Sequence, residues 1–115
     1  MTDTGQSDVP VREQLADRIR FDGGVHESDR PTVTGALGHL LDRLESWPAS
    51  AVTLALHVKD RDNPAMRTTV ELDLPRTPTL RASADGELGA ALNRIGDVLV
   101  SQLNEQRRMS EQRHR

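Results

Sequence analysis

Cysteine and tyrosine are absent from this 115-residue chain, and phenylalanine and tryptophan occur once each. Without cysteine there is no disulfide, no thiolate nucleophile and no thiolate-held zinc. Phe21 and Trp47 alone do not make a row of rings on which successive bases could stack, so a stacking RNA reader is disfavoured. Lysine is nearly missing: Lys59 stands against fourteen arginines. No apolar run approaches the roughly 20 residues of a membrane span. No basic-then-apolar leader opens the chain. The expectation is a cytoplasmic protein with no membrane partner.

Apolar residues make up 35% and charged residues 29%, enough for one modest core. The net charge of −3 is unevenly spread. Residues 1–30 carry seven acids and four arginines, and residues 31–106 ten acids and seven bases. Residues 107–115, RRMSEQRHR, hold four arginines and one glutamate. Cations there suit the C-terminal end of a helix dipole, and equally a polyanion.

Residues 1–14 are polar and are expected to be loosely ordered, followed by a folded domain over 15–109 and a basic tail over 110–115. In 17–24, DRIRFDGG, Ile19 and Phe21 alternate with arginines and glycines close the run, which predicts a strand. From 32 to 47 the period is helical: Val33, Leu37, Leu40, Leu41, Leu44 and Trp47 form one stripe, between Pro31 and Pro48. The period then becomes two. Val52, Leu54, Leu56 and Val58 share a face, as do Thr68, Val70, Leu72 and Leu74. DRDNPAM between these runs predicts a turn, hence an antiparallel hairpin. TLRASA predicts a third strand of this group. Over 87–109 a last helix is predicted on Leu88, Ala91, Leu92, Ile95, Leu99 and Leu103, with Val98 widening the stripe. The order β-α-β-β-β-α predicts an α+β two-layer sandwich, a four-stranded sheet with two helices on one face.

Chemistry finds no foothold. The histidines at 26, 39, 57 and 114 form no metal pair on one helix face, and no HExxH occurs. His57 and His39 are expected on wet faces. Gly23-Gly24 lies in no phosphate-cradling motif, Asp60 and Asp62 fall in a turn, and Ser101 and Ser110 lack a visible base. The expectation is no enzyme, no cofactor, no metal and no small-molecule substrate.

Order and local strings together resemble the ribosome hibernation-promoting factor / ribosome-associated inhibitor (protein Y) family, over roughly residues 17–108. The strings are Ile19–Gly24, ALGHLLDRLE, the hairpin VTLALHVKDRDNPAMRTTVELDL, and the ending LRASADGELGAALNRIGDVLVSQLNEQRR with Ala90-Ala91, Asp97 and Gln102-Leu103. The resemblance implies a fold like double-stranded-RNA-binding domains. It also implies binding to small-subunit rRNA near the decoding channel, which silences translation by occupancy. The chain would be a short form, without the C-terminal dimerisation domain of long members.

One departure bears on that function. Where the family carries bases on the exposed face of the last helix, this chain has Val98, Ser101, Asn104 and Glu105. The bases left to meet rRNA phosphates are Arg43, Lys59, Arg81, Arg94, Arg107 and Arg108, with Arg61 as a further candidate. A second reading is a diverged member whose RNA face has decayed and which serves as a protein-protein or stress-regulatory module, with a homodimer left open.

Overall fold

The computed structural model describes residues 11–113, with side chains through residue 109. Helix α1, Val11–Arg18, leads into strand β1, Arg20–Gly23. A 3-10 turn at Glu27–Asp29 opens α2, Arg30–Ala36, and α3 follows at Gly38–Arg43. After two further 3-10 turns come β2, Thr53–Lys59; β3, Arg67–Asp73; and β4, Leu80–Asp85. Helix α4, Leu88–Arg113, ends the described chain. The sheet runs β1-β2-β3-β4; β1 pairs parallel with β2, and the other pairs are antiparallel.

Alternation in the strands produces the layers. Leu54, Leu56 and Val58 of β2 and Thr68, Val70 and Leu72 of β3 are buried on one face. Against that face lie α2, α3 and α4 through Val33, Leu40, Leu41, Leu92, Ile95 and Leu99, all 1% exposed or less. The α+β sandwich expected from the pattern is the architecture observed, with one layer of helices and one open sheet face.

Five details differ from the sequence expectation. Residues 11–14 belong to a helix, not to a loose extension; residues 1–10 lie outside the described residues. The apolar signal in α1 is only Val11, Leu15 and Ala16, too short to show a period, yet Leu15 and Ala16 are buried in the core. The predicted strand at 17–24 shortens to Arg20–Gly23 accordingly. The helix predicted over 32–47 is broken at Leu37, where φ −94° and ψ 12° interrupt it between Gly35 and Gly38. Val98 does not widen the buried stripe of α4: it is 45% exposed, and Val100 is buried in its place. Helix α4 also runs past 109 to Arg113, into the residues expected to be a separate tail.

Gly23 is demanded by its surroundings. Its φ is +71°, and a Cβ there would stand 2.5 Å from the Val58 carbonyl oxygen. The neighbouring Gly24 N–H donates to that same oxygen at 2.9 Å, which ends β1 and turns the chain toward α2.

Candidate nucleic-acid interface

The β2–β3 turn is built from aspartates that tolerate left-handed backbone: Asp60 has φ 57° and Asp62 φ 68°. Asn63 Oδ1 accepts from the Ala65 N–H at 2.9 Å and tightens it. Between the two aspartates Arg61 points inward rather than toward solvent. Its guanidinium donates to both Asp29 carboxylate oxygens, at 2.8 and 3.1 Å, and to the Gly24 carbonyl at 2.8 Å. Arg61 is therefore a clamp between the hairpin and the start of α2, and it leaves the set of phosphate-contact candidates. Spacing along the chain does not show this bond, because its partners are about thirty residues apart.

The clamp has a pH signature. Hydrogen bonds from Arg61, then from the His26 backbone N–H, lower the Asp29 carboxyl from 3.8 to about 2. A depressed carboxylate stabilises the fold above its unfolded pKa and loses that contribution as pH falls through its folded value. Asp29 should thus contribute about 1–2 kcal/mol at neutral pH, lost between about pH 4 and pH 2. In Asp29→Asn, urea melts at pH 7 and pH 2 should differ by that much less than in the parent. An unchanged difference would show that the clamp does not form in solution.

The predicted contact residues fall on separate surfaces. Arg43 closes α3 and donates to Asn104 Oδ1 on α4. Arg107 and Arg108 lie three and four residues beyond Asn104, on the same side of α4. Arg43, Arg107 and Arg108 are exposed and gather at one end of the molecule. Arg108 pairs with Glu105 one turn back.

Lys59 and Arg81 are on the open sheet face instead. Lys59 faces Arg67 across the β2–β3 ladder, and Arg67 holds Asp85 at 3.0 Å. Arg81 approaches Glu71 at 3.5 Å. Arg94 is near the start of α4, where its guanidinium donates to the Asp85 carbonyl at 2.7 Å. Arg67 is not among the contact residues expected from the sequence. The structure puts it beside Lys59, where the exposed Asp85 carboxylate already offsets one of the two like charges.

The open sheet face as a whole is balanced. Arg20, Lys59, Arg67 and Arg81 are matched by Asp22, Glu71, Asp73 and Asp85. Phe21 is partly buried beneath the Arg30 guanidinium, 4.3 Å from the ring centroid, and Trp47 packs partly buried against the core. Neither ring is offered to a base. His39 and His57 are exposed, as expected. Among the described residues no three His, Asp or Glu side chains are grouped to hold a metal, and no helix is long and apolar enough to cross a membrane.

Among solved structures, this chain is similar to the crystal structure of the Thermus thermophilus Protein Y N-terminal domain. The identity is 21% and the TM-score 0.58, over 75% of this chain and 93% of that one. The chain has the Protein Y N-terminal fold. No protein-family model matches it, and no curated protein does. On this Protein Y scaffold the bases stand at helix ends and strand rims. From Glu87 to Gln106 the last helix region has Arg94 as its one base, against Glu87, Asp97 and Glu105.

Proposed function

We propose that the protein is a ribosome-associated hibernation factor. It occupies the small subunit near the decoding channel, holds rRNA phosphates with arginine, and inhibits translation in the cytoplasm under stress without catalysing a reaction. The observation that carries this reading is the fold: the likeness spans nearly the whole of the Protein Y N-terminal domain. The state of the arginines is compatible with it. The Arg81–Glu71 and Arg108–Glu105 pairs are largely exposed, and such pairs contribute only about 0–1 kcal/mol. A phosphate can displace either carboxylate.

Geometry sets how strong the contact can be. If the end cluster of Arg43, Arg107 and Arg108 acts alone, three phosphates are neutralised. Affinity should then fall about 40-fold between 50 and 200 mM salt, against about 2,000-fold if all six candidate bases engage. Co-sedimentation with purified small subunits across that range measures the slope. The reading requires binding at low salt and a slope near the smaller value.

The acidic middle of α4 and the balanced sheet face favour a second reading, a Protein Y fold that has exchanged RNA for a protein partner. Absence of co-sedimentation at about 50 mM salt would select it.

A further inference from the structure

The outer edge of β4 carries its own pattern. Gly86 N–H donates to the Met66 carbonyl at 3.2 Å, so in this antiparallel register Ala84, Ala82 and Leu80 also turn their backbone groups to β3. Arg81, Ser83 and Asp85 turn theirs outward, away from the sheet. An open edge of this kind is a template for another strand.

Two side chains of α4 close it. Arg94 donates to the outward carbonyl of Asp85 at 2.7 Å, and Gln102 Nε2 reaches that of Arg81 at 3.4 Å. The Gln102 closure is poorly made: Gln102 Oε1 is buried and has no hydrogen-bond partner among the described residues. Arg94, Val98 and Gln102 are spaced by four and so form one ridge along the helix. Val98 therefore stands between the two closing side chains, level with the middle of the edge. It is one of two large apolar residues exposed among the described residues.

We infer that this edge pairs with the same edge of a second copy of the chain, and that Arg94 and Gln102 act as a latch over it. The sequence RASAD is complementary to itself when run antiparallel. With Ser83 opposite Ser83 of the second copy, Arg81 lies opposite its Asp85 and Asp85 opposite its Arg81. Every outward backbone group at these three positions then has a partner, and each cross-strand pair of charges is of opposite sign. The twofold axis passes beside Ser83 and brings the two Val98 side chains toward one another, which removes their apolar surface from water. The present partners of these charges are Glu71 for Arg81 and Arg67 for Asp85, both on the same open face and largely exposed. They need not break, since a carboxylate or a guanidinium can accept a second neighbour. This inference does not depend on the ribosome reading.

Sedimentation velocity over a concentration series, on the protein alone, tests it. The wild type should show a reversible monomer–dimer equilibrium. Ser83→Pro removes an N–H that β3 does not use, so it should remain monomeric and folded. Val98→Asp, at an exposed position, should do the same and decides the matter if the proline variant fails to fold. Arg94→Ala opens the latch and should move dimerisation to a concentration lower by roughly tenfold. A wild type still monomeric at on the order of 1 mM, or a dimer that survives Val98→Asp, overturns the pairing. An Arg94→Ala dimer no tighter than the wild type overturns the latch.

Discussion

Leu92→Asp is expected to remove the cooperative melting transition. Leu92 is fully buried, on the face of α4 that lies on the sheet. Truncating a buried leucine already costs about 2–5 kcal/mol, because the cavity collapses only in part. A carboxylate at that place loses its hydration with no cation among the apolar side chains to replace it, a further cost of several kcal/mol. The sum reaches the whole of the stability typical of a small domain, about 5–15 kcal/mol. Circular dichroism against temperature gives the answer. A retained sigmoidal transition would mean that α4 does not pack through this face. Asn93→Asp, at the next and exposed position, is the control and should melt like the parent.

Arg107→Glu/Arg108→Glu should weaken sedimentation with small subunits by about 100-fold or more. The double change deletes two of the three bases in the end cluster and places two acids there, so what remains is Arg43 beside repulsive charge. The melting temperature should hardly move, since both side chains are exposed and the ion pair they make among the described residues, Arg108–Glu105, is a surface pair one turn apart. Undiminished pelleting of the folded variant would remove the end cluster from the interface. It would direct attention to the rim formed by Lys59 and Arg67. Loss of binding together with loss of melting would instead show that the two arginines hold the helix end in place.

How far the residues could be read in advance differs from place to place. Leu88, Ala91, Leu92, Ile95, Leu99 and Leu103 announce their helix because six positions at steps of three and four leave no other period. Leu54, Leu56, Val58, Thr68, Val70 and Leu72 do the same for the hairpin at steps of two, and all of these are buried as that spacing requires. Helix α1 escaped because its stripe is three residues long; burial against α3 and the following 3-10 turns stabilises it, not periodicity. Val98 is a related case. Its angular position on α4 lies at the border of the stripe, and only the lateral limit of the sheet at β4 decides that it remains in solvent while Val100 is covered.

For the interface the division is sharper. The list of bases, their scarcity along the last helix and the lack of stacking rings all follow from composition and spacing. Which bases are free to meet an anion does not. Arg61 and Arg67 stand in or beside the same turn, yet Arg61 is consumed by Asp29 and Gly24 while Arg67 faces outward beside Lys59, in an exposed pair with Asp85 that an anion can displace. Arg43 joins Arg107 and Arg108 only because α3 and α4 pack side by side and Asn104 faces it.

Local pattern by itself determined the class of fold, the faces of its strands and long helix, and the absence of thiol chemistry, because period and composition are properties of neighbouring residues. Tertiary structure alone decided which guanidiniums are spent inside the molecule, where the remaining ones gather, and that the β4 edge is closed by Arg94 and Gln102. Those outcomes depend on groups far apart in the chain, whose distances are set only when the sheet and the helices have packed.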